Sequence, residues 1–213
     1  MKSLKPFVLF CAITLGFCLQ MGAAHARDIQ TAIFAGGCFW CVESDFDHVK
    51  GVTDTTSGYA GGTKANPTYR DHEGYTEAVR VRFDADIVSF RQLVDIFWRT
   101  HDVFDPDGQF CDQGPSYRPV AFVRGADQRN AAEASKMAAA AVLKRKILTP
   151  IEDATTFYPA EGYHQNYYLG ENRVLTRYGY ITQATAYENY RKGCGRDARV
   201  RAIWGAEAPF ANK

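Results

Sequence analysis

Gly36-Gly37-Cys38-Phe39-Trp40-Cys41 places two thiols, two aromatic rings and two flexible glycines within six residues. Just before it, Thr31-Ala32-Ile33-Phe34-Ala35 is short and mostly apolar, which suits a strand, and the glycines let the backbone turn sharply out of it. After it, Phe39, Val42, Phe46 and Val49 recur at helical spacing, Glu43 and Asp45 put negative charge near the first turns, and Gly51 can end the run. The pattern predicts strand, glycine turn and helix, with Cys38 at or beside the helix N-terminus. Unpaired amides and the positive dipole end favour a thiolate there, and the thiolate is the strong nucleophile.

Outward from this centre, the 213 residues fit one domain and can bury a proper core. Lys2 and Lys5, an apolar run over 7–19 and the small-x-small Ala24-His25-Ala26 read as an export signal of residues 1–26. The expected product is a single catalytic domain of residues 27–213, starting near Arg27, exported and periplasmic or secreted. Loss of Lys2 and Lys5 takes the formal charge from +1 to −1, so neither nucleic acid nor an anionic surface is indicated as partner. The alternative is an uncleaved anchor, for which the apolar run is short.

Cleavage leaves Cys38, Cys41, Cys111 and Cys194. They could form two structural disulfides. Against this, Cys38 and Cys41 have the spacing of redox dithiols at a helix start, whereas structural staples usually close longer loops. A zinc site needs a second close pair or a nearby histidine, and Cys111 and Cys194 stand alone in the sequence, so no metal is expected.

Along the rest of the chain, 52–57 is β-branched and reads as a strand, and 58–70 as a loop whose Tyr59 and Tyr69 are candidates to line a site. Residues 76–83 alternate: Val79, Val81 and Phe83 share one face, Arg80 and Arg82 the other. Glu77 falls on the apolar face, where desolvation would raise its pKa and suit it to general-acid work; at the strand's start it could also curl out to water. Ser89-Phe90-Arg91-Gln92 is a capping box opening a helix that buries Phe90, Leu93, Val94 and Phe97; His101, at its end, reads as a dipole partner rather than a base. Residues 103–118 read as loop and 119–123 as strand. Asp127 is expected to cap an Ala-rich helix to about residue 146, with Met137 and Val142 in the core. A further strand lies within 147–156, then an aromatic loop or short helix over 157–168. The fold expected is α+β: a two-layer α/β sandwich, a mixed β-sheet flanked by helices, with a C-terminal extension from about residue 187.

Gly37-Cys38-Phe39-Trp40 resembles the signature of the A-type peptide methionine sulfoxide reductases. Further stretches resemble the same family in the same order: Gly58-Tyr59-Ala60-Gly61-Gly62, Asn66-Pro67-Thr68-Tyr69-Arg70, Gly74-Tyr75-Thr76-Glu77-Ala78-Val79, Asp112-Gln113-Gly114 with Tyr117-Arg118, and Tyr163-His164-Gln165. Tyr75 stands where a histidine is usual, and Cys41 where glycine is frequent. The resemblance implies that Cys38 attacks the sulfur of an S-methionine sulfoxide, free or in proteins. Glu77, with Tyr69 and Tyr117, would bind and protonate the oxygen; Asp112 would sit at the same centre; Phe39 and Trp40 would hold the methyl group. The resulting Cys38 sulfenic acid would be resolved to a disulfide, with no cofactor beyond an external dithiol of thioredoxin type.

Cys41 offers proximity as resolving thiol. Cys194 lies between Gly193 and Gly195 in a basic C-terminal segment, which suggests mobility, and Arg191, Lys192 and Arg196 would favour its thiolate. Family members commonly recycle through a C-terminal cysteine. Cys111, beside Asp112, ranks third. The expected relay pairs Cys38 with Cys41 or Cys194 and turns Cys194 toward the donor. The competing readings are a thioredoxin-like dithiol oxidoreductase, which leaves Glu77, Tyr69 and Tyr117 unexplained, and a disulfide-stapled binding protein with an aromatic groove.

Overall fold

The computed structural model describes residues 27–211; the expected signal segment, residues 1–26, lies outside them. Strand β1, Ile29–Ala35, turns through Gly36 and Gly37 into helix α1, Phe39–Phe46. Gly37 has φ +83°, and the loop side chain of Gln109 packs so close that a Cβ at Gly37 would lie 2.5 Å from Gln109 Cβ. Only glycine meets both demands.

Strands β2, Val52–Ala60, and β3, Thr76–Asp84, follow, then helix α2, Phe90–Phe97, opened by the capping box of Ser89 and Gln92. A two-residue hairpin, β4 Gly108–Gln109 with β5 Asp112–Gln113, and a 3-10 turn at Pro115–Tyr117 order what reads as plain loop. Strand β6, Val120–Val123, leads into helix α3, Gly125–Leu143, and strands β7, Ile151–Asp153, and β8, Tyr158–Pro159. The six-stranded sheet runs β7-β6-β1-β3-β2-β8, antiparallel except for the parallel β6–β7 pair, so it is mixed. A small second hairpin, β9 Arg173–Thr176 and β10 Gly179–Thr182, precedes helices α4, Gln183–Gly193, and α5, Arg196–Trp204.

The period-2 pattern decides which side of the sheet meets the helices. Ala32 and Phe34 of β1 and Val79, Val81 and Phe83 of β3 pack with Phe46, Leu93, Val94 and Phe97; Ile33, Ala35 and Ala78 pack on the opposite face with Phe122 and Phe157. The fold is α+β, as expected. Among the described residues no helix is long and apolar enough to cross a membrane.

Four local expectations are corrected. Met137 and Val142 are 68% and 57% exposed, because α3 turns its small side chains Ala132, Ser135 and Ala139 inward and Trp98 fills the space, donating to Ser135. Asp127 lies in the first turn of α3, and Gln128 accepts the Arg124 amide. His101 is buried and neutral: burial and the Arg196 charge lower its pKa to about 3, and it pairs with the Phe97 carbonyl and Thr149 by hydrogen bonds, not as a cation. Residue 187 falls inside α4, and Val200, Trp204, Ala208 and Ala211 beyond it join the main core.

Helix α4 is tied to α1 by a buried ion pair, Arg191 to Asp45 at 2.9 Å, with Asp197 as second partner of Arg191. Arg191→Leu should therefore cost about 3 kcal/mol or more in urea unfolding, because Asp45 is left charged and buried, and adding Asp45→Leu should restore part of the loss. Equal midpoints for wild type and Arg191→Leu contradict this.

Candidate active site

The end of β1 aims Cys38 as N-cap of α1, and β3 brings Glu77 beneath it: the Phe39 amide donates to the Glu77 carboxyl at 3.0 Å. The partners are 38 residues apart in sequence. Glu77 is 2% exposed, so it takes the inward course, not the turn to water. Burial, the Phe39 hydrogen bond acting against it, and nearby Asp112 and Cys41 leave its pKa raised to about 8. It is protonated at neutral pH.

A cavity of about 70 Å³ opens beside this pair. Of the expected residues, Cys38, Phe39, Trp40 and Glu77 line it, and the loops bring Tyr69, Asp112 and Tyr117 to its other walls. The Tyr69 and Tyr117 phenols are hydrogen-bonded, and burial, then the Glu77 charge, raise both pKa values, that of Tyr69 to about 12; both are donors at any ordinary pH. Tyr59, a candidate from its loop, lies at the end of β2, fully buried, and braces Glu161 instead. Tyr75 sends its hydroxyl to the Lys64 carbonyl.

Three residues in or behind the cavity wall were given no role by the sequence reading, although His164 falls in one of its motifs. Tyr190 of α4 lines the cavity and donates to Asp112. His164, 2% exposed, has its pKa lowered to about 4 by burial, so its Nδ1 accepts the Trp40 indole N–H at 3.2 Å. Tyr167 stacks on Trp40 with 3.7 Å between ring centres. The aromatic run over 157–168 marked His164 and Tyr167 as a group without showing which ring faced inward. Nothing around Tyr190 distinguished it.

The thiols differ from expectation. Cys38 and Cys41 are free, buried and hydrogen-bonded to each other. Burial raises the Cys38 pKa, and the Cys41, Glu77 and Asp112 charges add to it, which outweighs the short helix. For Cys41 burial is more than offset by the Cys38 hydrogen bond and by Arg196 and Arg191, and its pKa falls. The two shifts run in opposite directions, so of the pair Cys41 is the more easily ionised and Cys38 the one that holds its proton. Arg196, buried and donating to the Gly36 carbonyl, serves this pair and not Cys194. Nor is Cys194 a free, mobile thiol: it caps α4 and is disulfide-bonded to Cys111, 83 residues away, with Cα atoms 5.1 Å apart. Two contacts flank that bond, Arg196 over the Phe110 ring and Tyr190 on Asp112.

The family profile described as Peptide methionine sulfoxide reductase matches residues 30–197. The chain belongs to that family. It is 49% identical to a peptide methionine sulfoxide reductase MsrA 2 of Rhizobium meliloti over 90% of this chain and 91% of the relative. A Caulobacter vibrioides relative of the same name is 45% identical over 94% and 98%. Among solved structures, methionine sulfoxide reductase A of Corynebacterium diphtheriae superposes with TM-score 0.58 at 31% identity, covering 67% of this chain and 75% of that one. The reduced form of Mxr1 from Saccharomyces cerevisiae gives TM-score 0.61 at 27% identity over 70% and 88%. The protein is a peptide-methionine (S)-S-oxide reductase.

The raised Glu77 pKa sets a pH dependence. The group works as an acid while protonated, so kcat/KM should hold through neutrality and fall as pH rises past about 8. Glu77→Gln should lower the rate about a hundredfold or more near pH 7 and abolish that alkaline limb. The same group gives a stability signature: its folded pKa lies above its unfolded one, so its contribution is complete below about pH 4 and is lost as pH rises through about 8. An unchanged pH–rate profile in the variant removes Glu77 from the chemistry.

Proposed function

We propose that this reductase, free and protein-bound methionine sulfoxide alike being its substrates, works through Cys38 as nucleophile and Cys41 as first resolving thiol. One observation carries the reading: of the two free thiols only Cys38 opens into the cavity that holds Glu77. Phe39 and Trp40 hold the methyl group, since an aromatic slot suits it and sulfur contacts rings favourably. The oxygen lies toward Glu77, Tyr69 and Tyr117, which donate to it, and Asp112, held by Tyr190, completes the polar wall.

Once Cys41 is ionised, Cys38 attacks the sulfoxide sulfur as its proton passes along the existing hydrogen bond to the Cys41 thiolate, which becomes a thiol, and Glu77 protonates the oxygen. Methionine leaves and Cys38 carries the sulfenic acid. The Cys41 thiol then displaces water from it, giving a Cys38–Cys41 disulfide. Two electrons must come from outside. The supply is a thioredoxin-type dithiol acting through Cys194: it opens the Cys111–Cys194 disulfide, and Cys194 attacks the inner disulfide. Closure with Cys111 then frees Cys38 and Cys41, the arrangement of thiols and disulfide the chain displays. The export signal over 1–26, from Lys2 and Lys5 to Ala24-His25-Ala26, supports a periplasmic or secreted address for a single catalytic domain of residues 27–213.

Single turnovers without donor test the thiol roles. Cys38→Ser should form no methionine, because a hydroxyl does not replace a thiolate at sulfur. Cys41→Ser should form up to one equivalent and stall with a trappable sulfenic acid on Cys38. If Cys41→Ser instead yields a Cys38–Cys194 disulfide at the wild-type rate, Cys41 is not the first resolving thiol.

A further inference from the structure

We propose that Glu161, a residue outside the cavity lining, is a positioning residue for sulfoxide reduction: its carboxylate fastens the loop that carries Tyr69 to the strand pair that carries Glu77. The proposal rests on the reading of Tyr69 as a donor to the sulfoxide oxygen. The need for such a residue lies in the loop itself. Residues 63–74 have no helix or strand beyond the Thr68–Asp71 bridge, and apart from Pro67 and His72 all of them are exposed. That bridge shapes the turn around Tyr69 without tying it to the rest of the molecule. A segment with so few buried contacts opens locally at little cost, whereas a donor aimed at a reacting oxygen works only when it is held in place.

Glu161 supplies the tie at residue 69. Its Oε1 accepts the Tyr69 backbone amide at 3.0 Å, and its Oε2 accepts the Tyr59 hydroxyl at 3.0 Å. Tyr59 is fully buried in β2 and stands directly opposite Glu77 of β3 in the sheet register. One carboxylate thus joins the loop of the oxygen donor to the strands of the acid. Burial acts to raise the Glu161 pKa, but the Tyr69 amide, its own amide, the Tyr59 hydroxyl and His164 more than offset it and the pKa falls. The group is ionised at neutral pH, and both hydrogen bonds to it are charge-assisted.

The backbone of Glu161 serves the same wall. Its carbonyl accepts the His164 amide at 2.9 Å, which starts the turn that brings the His164 ring to the Trp40 indole N–H. The Tyr69 ring lies 4.4 Å from that His164 ring, and the loop's His72 stacks on Tyr59 at 5.0 Å. Removing the carboxylate leaves the Tyr69 amide to water and the Tyr69 ring without its polar anchor, while Cys38 and Glu77 keep their own contact through the Phe39 amide.

The test is a double-mutant cycle on the single-turnover rate of methionine formation from free methionine sulfoxide, without donor. Glu161→Ala should lower the saturated rate about tenfold and move the half-saturating concentration less than about twofold, because the oxygen donor counts most in the transition state. Glu161→Gln, which keeps one acceptor oxygen, should lose less. In a Tyr69→Phe background neither substitution should lower the rate further by more than about twofold, since no phenol is left to place. An equal loss in both backgrounds overturns the proposal, as does a wild-type rate for Glu161→Ala. Glu161→Gln passes through the same cycle, so the result stands even where the alanine variant does not fold. A wild-type rate for Tyr69→Phe alone defeats the reading of Tyr69 as oxygen donor, and the proposal with it.

Discussion

The hydrogen bond from the Phe39 amide to the Glu77 carboxyl is the constraint on which the site depends. It joins the first turn of α1 to β3, a central strand of the sheet, and it fixes nucleophile and acid by the same contact. A backbone amide as partner holds Glu77 in place without supplying a full positive charge, so burial still keeps the proton on. A lysine or arginine there would have held the carboxylate ionised and useless as an acid at neutral pH.

The walls are secured from α1 outward. Its buried Glu43, with a pKa raised by burial to about 7, accepts the Asn166 amide and so sets the turn that presents His164 and Tyr167 to Trp40. Asp45 on the same helix fastens α4 through Arg191, and α4 delivers Tyr190 to Asp112. The arginines that serve packing also bias the thiol pair: Arg191 and Arg196 lower the Cys41 pKa while burial raises that of Cys38. A nucleophile kept protonated until its neighbour takes the proton is protected from adventitious oxidation, since reactivity follows the thiolate.

What could be read in the sequence was what repeats locally. The strand–glycine–helix start, the alternation through Val79, Val81 and Phe83 and the Ser89 capping box all appear in the structure, because each is written by neighbours within one or two turns of chain. The same alternation put Glu77 on the apolar face but left a turn to water open at the strand's start, and the family resemblance decided between the two. Pairings across long separations were not readable: Cys111 with Cys194, Trp40 with His164, Asp112 with Tyr190. The basic residues near Cys194 were misassigned for the same reason, since the chain folds Arg191 and Arg196 back onto α1 and the Gly36 turn. On α3 the inward face is made of alanine and serine, so the hydrophobic pattern pointed to Met137 and Val142, which face water.

The central claim is that a buried, protonated Glu77 stands ready at the sulfur-attacking cysteine. Carbon-13 NMR of glutamate-labelled protein, with the Glu77 resonance assigned by its loss in Glu77→Gln, measures this directly. The account predicts a carboxyl that is neutral at pH 7 and titrates near pH 8. A Glu77 resonance that titrates in the ordinary carboxylate range, near pH 4, would contradict it.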